Sequence, residues 1–141
     1  MQQQIISNER AIENLMVSYA YANDDANIKL LGQIFKDATF KLDETAANGS
    51  AEIEAIAGHM IALREDGRSA TTHEITNITV EIDAKGTTAT GNAYWTLYQT
   101  ISGSPRLAVL SGRYQDKLIF NKGEWKFLER NATTLWKLNL D

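Results

Sequence analysis

Apolar residues recur at helical spacing near the start of the chain. They stand three and four residues apart, which predicts a first helix with one apolar face. These residues are Ile12, Leu15, Met16, Tyr19 and Ala22. Ser7 or Asn8 can cap the start of this helix, and the polar run Asn23-Asp24-Asp25 predicts its end.

Two later segments have the same spacing and predict two shorter helices. The apolar face of the second helix holds Ile28, Leu31, Ile34 and Phe35. The third helix opens at Gly49-Ser50 and is expected to bury Ile53, Ile56, Met60 and Leu63. Between the two helices, residues 39–42 predict a short strand.

The spacing of apolar residues changes from the helical period to a strand-like pattern near residue 70. From Thr71 onward the chain is rich in Thr, Val, Ile, Tyr and Trp, and turn signals stand at residues 83–86, 102–105 and 121–123. This pattern predicts four long strands joined as an antiparallel meander. Helices followed by such strands indicate an α+β fold, in which the helices cover one face of a curved sheet. Since no helix separates the long strands, no parallel pair is expected.

The alternation in the first long strand changes phase partway along. His73 and Ile75 occupy odd positions, whereas Ile78, Val80 and Ile82 occupy even ones. Both sets can face the core only if one extra residue is inserted, so we expect a β-bulge near residue 76 or 77. A bend there would curl the sheet around a pocket with His73 at its lip or inside it.

Composition narrows the class of protein. The 141 residues, 43% of them apolar, suit a single domain spanning residues 1–141. The absence of Cys excludes disulfides, thiolate metal sites and cysteine nucleophiles. A net charge of −4 with scattered basic residues disfavours a nucleic-acid partner. The chain shows no signal-peptide pattern and no apolar run of roughly 20 residues, so we expect a cytoplasmic location and no membrane insertion.

Histidine and acidic residues have no spacing typical of a metal site, so no metal is expected. Of the two histidines, His59 lies at the edge of an apolar helix face and is interpreted as a partly buried or surface residue. His73 differs, because it shares a strand face with Ile75 and points inward.

Three further residues are candidates for chemistry, and each has a plain structural alternative. Asp24 ends a helix where the macrodipole does not favour a carboxylate, so it can serve as the partner of an imidazole, or it can belong to a solvated turn. Arg130 can stabilise a leaving group or an oxyanion, or it can pair with Glu129 or Asp116. Tyr19 can line a pocket with its hydroxyl or be core.

These residues, taken in order, resemble the SnoaL-like branch of the nuclear transport factor 2 superfamily. The resemblance spans nearly the whole chain. Its carriers are Ala11-Ile12-Glu13-Asn14-Leu15 with Tyr19 and Asp24, Leu31-Gly32-Gln33-Ile34-Phe35-Lys36-Asp37-Ala38, His73-Glu74-Ile75-Thr76-Asn77, and Gly123-Glu124-Trp125-Lys126-Phe127 leading to Arg130-Asn131. The resemblance implies a cone-shaped fold whose N-terminal helices pack on a strongly curved antiparallel sheet enclosing a pocket.

The resemblance also implies an activity. Dehydratases and dehydrochlorinases of this superfamily eliminate a small molecule from a ring. The dehydrochlorinase type uses a His base, an Asp that orients it and an Arg that helps the departing group. These residues fall on His73, Asp24 and Arg130, and Tyr19 matches a tyrosine that one dehydratase has five residues before its Asp. A second pocket histidine found in some members is missing, since that stretch reads Asn92-Ala93-Tyr94-Trp95. The expected function is therefore a cofactor-independent lyase or isomerase acting on a small apolar cyclic molecule.

Other functions remain open on this fold. The β subunits of ring-hydroxylating dioxygenases share it as non-catalytic binding or structural subunits, and polyketide cyclases share it as enzymes that rely mainly on acidic catalysis.

We also expect a homo-oligomer, because one strand is partly apolar on both faces. One face of this strand holds Tyr94, Thr96 and Tyr98, and the other face holds Ala93, Trp95 and Leu97. The resemblance favours a trimer over a dimer.

Overall fold

The computed structural model describes residues 5–139, and three helices precede most of a six-stranded sheet. The elements in chain order are α1 (Asn8–Asp24), α2 (Ile28–Ile34), β1 (Thr39–Leu42), β2 (Thr45–Asn48), α3 (Gly49–Met60), β3 (Thr71–Ile82), β4 (Thr88–Gln99), β5 (Leu107–Asn121) and β6 (Glu124–Lys137). Residues 1–4, which belong to the segment without a signal-peptide pattern, lie outside the described residues. Within residues 5–139, no helix has the length and apolar character needed to span a bilayer.

The three predicted helices are present, and their ends follow local signals. Ser7 caps α1, since its hydroxyl accepts a hydrogen bond from the Arg10 backbone N–H at 3.1 Å. The end of α3 differs from the expectation. The chain becomes extended at Ile61, so Leu63 lies outside the helix in a β-bridge with Ser69. Leu63 and Met60 are both exposed, and the prediction that α3 buries them is wrong.

The sheet has the strand order β2-β1-β6-β5-β4-β3. The four long strands form the predicted antiparallel meander, and β1 occupies the predicted residues. The expectation that no strands pair in parallel is wrong, because β1 pairs with β6 in parallel. The strand β2, which pairs antiparallel with β1, was not predicted. β1 and β6 are far apart in sequence, and the chain between them runs from β2 to β5. This long connection brings β6 alongside β1 in the parallel direction, so no helix is needed between consecutive long strands.

The predicted β-bulge is confirmed. The register between β3 and β4 shifts between Thr76 and Thr79, and Asn77 adopts a φ of +57°. Further register shifts occur between β4 and β5 at Leu97/Tyr98 and between β5 and β6 at Ser111/Gly112 and Lys117/Leu118. Bulges bend and twist strands, so these irregularities give the sheet its curvature.

The core lies between the helices and the sheet. Ile12 and Met16 of α1 are fully buried, and a β-carbon at Gly91 of β4 would lie only 2.6 Å from the Met16 sulfur. Gly91 therefore allows α1 to lie close to the sheet. Further along, Phe35 after α2 stacks on Phe127 of β6 with ring centroids 4.8 Å apart. Next to this packed region, the space between the helices and the sheet holds a cavity.

Candidate functional site

The cavity has a volume of about 170 Å³. An apolar cavity of roughly 150 Å³ is large enough to hold benzene, so a single ring fits here. Apolar and aromatic side chains dominate the wall, and His73 is the one histidine that the described residues contribute to it. The lining residues are Tyr19, Asn23, Leu31, Phe35, Phe40, Leu42, Thr45, Ala47, Ile53, Ile56, Ala57, Met60, Ile61, Thr71, His73, Trp95, Leu97, Leu110, Tyr114, Ala132 and Thr134.

Asp24 and His73 are in direct contact beside this cavity. Asp24 Oδ1 lies 2.8 Å from His73 Nδ1, and Asp24 Oδ2 accepts a hydrogen bond from the His73 backbone N–H at 2.9 Å. The side chains of His73 and Asp24 are 9% and 13% exposed, so both are shielded from bulk solvent. One carboxylate thus holds both the ring and the backbone of the same histidine.

This contact determines which imidazole nitrogen is available for chemistry. An ionised carboxylate only accepts hydrogen bonds, so a neutral His73 carries its proton on Nδ1. Nε2 then has a free lone pair, and it has no hydrogen-bond partner among the described residues. A lone pair on a cavity-lining histidine, with a carboxylate behind the ring, is an arrangement suited to a general base.

The end of α1 is tied to the start of β3, which fixes Asp24 in place. The Ser69 backbone N–H donates to the Asp24 carbonyl oxygen at 3.1 Å, and Arg68 forms an ion pair with Asp25 at 2.8 Å. Asn27, not Asp24, caps α2 by accepting from the Leu30 N–H. The carboxylate of Asp24 is therefore directed at His73 rather than at a solvated turn.

Tyr19 lies on the cavity wall next to His73. The two rings meet edge to face with centroids 5.3 Å apart, and Phe40 stacks on Tyr19 at 5.3 Å. Its hydroxyl accepts a hydrogen bond from the Asn23 side-chain amide at 3.4 Å. Burial raises the pKa of Tyr19 to about 12, so its hydroxyl remains a protonated donor near neutral pH.

Arg130 lies behind the cavity wall and is not among the lining residues, so it is not placed to help a departing group as the resemblance implied. Its guanidinium is fully buried and makes two hydrogen bonds to Asp116, each at 2.9 Å, and one to the Met16 carbonyl oxygen at 2.8 Å. The guanidinium carbon lies 3.8 Å from the centroid of the Tyr114 ring and 5.5 Å from that of Tyr19. Burial opposes the charge on Arg130, but the charge and hydrogen bonds of Asp116, together with the Tyr114 and Tyr19 phenols, outweigh burial and raise the arginine pKa above its usual range.

The second histidine takes no part in this site. His59 is exposed on α3, as its position at the edge of an apolar face indicated. Residues 5–139 contain no group of three His, Asp or Glu side chains close enough together to bind a metal ion.

Asn23, Trp95 and Tyr114 also line the cavity, although the sequence did not single them out as site residues. Trp95 and Tyr114 lie on inward-facing positions of β4 and β5, and their rings stack with centroids 6.0 Å apart. Period-two alternation places both on the inner face, so the signal was present, but alternation cannot separate a cavity wall from solid core. Burial raises the pKa of the Tyr114 phenol well above its usual range.

A mixed sheet curled around a ring-sized cavity, under three helices, defines an α+β fold with a cystatin-like architecture. The profile of the SnoaL-like domain family matches residues 4–131. The chain therefore belongs to the SnoaL-like family of the nuclear transport factor 2 superfamily. A search of curated protein sequences finds no match to this chain.

Solved structures of similar proteins confirm the fold. A candidate aromatic ring hydroxylase from Novosphingobium aromaticivorans is 26% identical, with a TM-score of 0.74 and coverage of 97% of this chain and 95% of that one. A candidate scytalone dehydratase from the same organism is 23% identical, with a TM-score of 0.73 and coverage of 94% and 87%. The protein LinA is 20% identical, with a TM-score of 0.74 and coverage of 94% and 90%. Proteins of the dehydratase type are thus among the structural neighbours of this chain.

Proposed function

We propose that this protein is a cofactor-independent lyase or isomerase that removes a proton from carbon in a small, uncharged, mostly apolar cyclic molecule. The observation that carries the proposal is the contact between Asp24 Oδ1 and His73 Nδ1 at 2.8 Å, with the His73 ring on the cavity wall. The described part of the chain offers no other histidine in this cavity.

The proposed reaction begins at His73 Nε2, which takes a proton from a ring carbon. In an elimination, the electron pair of that C–H bond forms a carbon–carbon double bond while the leaving group departs with its own bonding pair. In an isomerisation, the pair moves onto a neighbouring carbonyl oxygen and returns when a proton is added at another carbon. In both reactions, Asp24 stabilises the imidazolium that forms and keeps Nε2 directed at the ligand.

Tyr19 is the donor that we propose for an oxygen that gains negative charge. Its ring touches that of His73, and its raised pKa keeps the hydroxyl protonated over the working pH range. In this proposal Arg130 does not touch the substrate. It acts as a positioning residue, since its cation packs against the rings of Tyr114 and Tyr19 and holds them in place.

The lining also supports the charge and size of the proposed substrate. Among the described residues, the lining contains no Asp, Glu, Lys or Arg, so an ionic ligand would lose its hydration without a permanently charged side chain to replace it. The volume of about 170 Å³ suits one ring with small substituents. An uncharged ring is therefore the ligand that the cavity favours.

Proton abstraction can be tested before the substrate is known. A thermal-shift screen of cyclic ketones, alcohols and halides selects ligands, since a ligand that binds the folded state raises the melting temperature. Selected ketones are then incubated in D₂O, and proton NMR follows the loss of the signal from the proton next to the carbonyl. We expect His73→Ala to abolish exchange and Asp24→Asn to slow it by roughly 10² to 10⁴, because an amide no longer favours the productive tautomer.

The matched control is Asp25→Asn, which alters the neighbouring carboxylate that pairs with Arg68 on the surface. This variant should exchange protons at the wild-type rate. If His73→Ala and Asp24→Asn also keep the wild-type rate, the catalytic proposal is wrong. If they keep full ligand binding and the wild type itself never exchanges protons, the protein is a binding module.

A further inference from the structure

The hydroxyl of Tyr114 is a polar group on the cavity wall that has no partner in the protein. Tyr114 is only 2% exposed, and it lines the cavity. Among the described residues, the Tyr19 hydroxyl accepts a hydrogen bond from Asn23, but the Tyr114 hydroxyl makes none. A buried donor without an acceptor is costly, so this phenol is a feature that apolar packing alone does not explain.

The oxygen of the Tyr114 hydroxyl is open to the cavity. Within residues 5–139, the polar side-chain atoms that lack both a partner and accessible surface are Trp95 Nε1 and Arg130 Nη1. The Tyr114 oxygen is not one of them, so it keeps surface that a water-sized molecule can reach. Because almost none of Tyr114 reaches the exterior and its side chain lines the cavity, that surface faces the cavity.

The ring that carries this hydroxyl is held firmly in place. The Arg130 guanidinium carbon lies 3.8 Å from the centroid of the Tyr114 ring, and the Trp95 ring stacks on Tyr114 at an interplanar angle of 26°. The register partners of Tyr114 on the neighbouring strands are Ala93 and Ala132, whose small side chains leave room for the ring. A donor held this rigidly loses little conformational freedom when it binds an acceptor.

The Tyr114 hydroxyl is a donor over the whole neutral pH range. Burial raises the pKa of Tyr114 well above its usual range, and the nearby Tyr19 phenol raises it further. When the cavity holds only water, a water molecule can accept from this O–H. A hydrocarbon that displaces the water leaves the donor unpaired, whereas a ligand oxygen replaces the lost hydrogen bond.

Tyr19 lies between Tyr114 and His73 on the cavity wall. Its ring meets each of the other two edge to face, with centroids 6.2 Å from Tyr114 and 5.3 Å from His73. A single ring bound against Tyr19 can therefore reach the base on one side and the Tyr114 hydroxyl on the other.

We propose that the Tyr114 hydroxyl donates a hydrogen bond to an oxygen of the bound ligand and thereby selects an oxygenated ring over a hydrocarbon or halogenated ring of the same shape. The oxygen lies toward β5, and the carbon that loses its proton lies toward β3. This inference rests on the proposed function for the identity of the reacting carbon, and it narrows the substrate class to cyclic ketones and related oxygen compounds. A carbonyl oxygen has two lone pairs, so it can accept from Tyr114 and from Tyr19 together.

The first test observes the hydrogen bond in the bound ligand. Cyclohexanone is the probe, and the infrared difference between its ¹²C- and ¹³C-carbonyl forms identifies the C=O stretch of the bound molecule. A hydrogen bond to the oxygen weakens the C=O bond and lowers its stretching frequency. We expect Tyr114→Phe to raise this frequency. The matched control is Tyr21→Phe, which removes the same atom from an exposed tyrosine of α1 and should leave the frequency unchanged.

The second test measures selectivity with a second probe, methylenecyclohexane, which has =CH₂ in place of the carbonyl oxygen. We expect Tyr114→Phe to weaken cyclohexanone binding by roughly 3- to 10-fold more than methylenecyclohexane binding, as loss of one neutral hydrogen bond predicts. Leu97→Ala, which shortens an apolar side chain of the same wall, should weaken both probes by similar factors.

The stability of the variant separates a ligand-binding hydroxyl from a structural one. Since the Tyr114 hydroxyl has no partner among the described residues, Tyr114→Phe without ligand should melt at a temperature no lower than the wild type. A clear fall in melting temperature, or a failure to fold, would show that the hydroxyl serves the fold and would overturn the inference.

The remaining outcomes separate this inference from the proposed function. If His73→Ala stops deuterium exchange but keeps the preference for cyclohexanone, both proposals stand. If the wild type shows the preference but never exchanges protons, the proposed function fails and the inference about Tyr114 stands. An unchanged C=O frequency in Tyr114→Phe, or equal losses for both probes, overturns the inference while leaving the proposed function intact.

Discussion

The pair formed by Arg130 and Asp116 places two opposite charges in the interior, where both side chains are inaccessible to solvent. Its geometry is bidentate, and the Met16 carbonyl satisfies one further N–H, but Arg130 Nη1 has no partner among the described residues. Burying charges is expensive, so such a pair adds little net stability even though each member depends strongly on the other. Its value to the site is that it fixes the Tyr114 and Tyr19 rings.

Removing one member of this pair should destabilise the protein strongly. Asp116→Asn leaves a buried cation without a counter-charge, so we expect a loss of about 3 to 5 kcal/mol in the free energy of unfolding, measured by urea denaturation. The double variant Asp116→Leu/Arg130→Met should recover most of that loss. Glu129→Gln, which breaks the more exposed pairs of the same strand with Lys41 and Lys117, should cost less than about 1 kcal/mol. A loss below about 1 kcal/mol in Asp116→Asn would contradict the assignment of Arg130 and Asp116 as a buried ion pair.

Tyr19 predicts how stability depends on alkaline pH. Its pKa is about 12 in the folded protein against 10.0 in the unfolded chain, so between these values the unfolded state releases a proton that the folded state retains. Stability from this group is complete below pH 10 and decreases as pH rises toward 12. Tyr114 adds to the same decrease, because its pKa is also raised.

We expect the free energy of unfolding in urea to fall between pH 9.5 and 11.5, and to fall less in Tyr19→Phe, which cannot ionise. The exposed Tyr21 supplies the control, because Tyr21→Phe should keep the wild-type slope. Equal slopes in Tyr19→Phe and the wild type would show that the phenol is not buried as described.

At the level of elements, the bulge in β3 allows inward-facing residues from both halves of that strand to face the same core. Residues before it, such as His73, and residues after it, such as Ile78 and Val80, are all shielded on the inner side despite their opposite parity. The extra residue is absorbed at Asn77, which is exposed and takes a left-handed φ of +57°. Asn tolerates this conformation better than most residues with a β-carbon.

Substitutions at Asn77 therefore report backbone strain rather than packing. Asn77→Ala should lower the free energy of unfolding by about 1 kcal/mol, because alanine has a steric penalty at positive φ, and Asn77→Gly should not. The exposed neighbour Thr79 is outside the left-handed region, so Thr79→Gly should be destabilising where Asn77→Gly is not. Thermal or urea unfolding measures all three variants. If Asn77→Ala and Asn77→Gly have equal stability, the bulge lies elsewhere.

At the level of the whole molecule, the outer face of the sheet has large apolar side chains in contact with solvent. Tyr94 and Trp136 lie on this face and are each 46% exposed, and Leu135 nearby on β6 is 62% exposed. The register connects the positions, since Trp136 pairs with Ser111 and Ser111 with Thr96, two residues from Tyr94. Exposed apolar surface of this kind is typical of subunit interfaces.

We therefore expect a homo-oligomer, with a trimer favoured over a dimer on the family resemblance. Light scattering at micromolar concentration should give a mass near three times 15.7 kDa, or twice that mass for a dimer. Trp136→Glu places a charge on the face and should reduce the mass toward that of one chain. Exposed Lys85 lies in the turn between β3 and β4, so Lys85→Glu is a charge-changing control that should leave the mass unchanged. A wild-type mass near 15.7 kDa would exclude the oligomer.

Much of the architecture was predictable from local patterns. The three helices, the four long strands, β1 and the bulge near Asn77 follow from spacing, caps and turn residues, because periodicity reports which face of one element is buried. The inward direction of His73 follows in the same way. Asp24 was a candidate because a carboxylate at a helix C-terminus is unusual there, and Tyr19 because it lies on the apolar stripe of the first helix.

Tertiary structure alone decided the partners of these elements and side chains. The parallel pairing of β1 with β6, the extra strand β2 and the bond between Arg130 and Asp116 join residues far apart in sequence, and no local period encodes which distant group will be adjacent. The same is true of the 2.8 Å contact between Asp24 and His73, which a motif can suggest but only chain closure can produce. Trp95 illustrates the difference most clearly: alternation places it inside, but only packing against Gly112 and Tyr114 leaves its N–H buried without an acceptor.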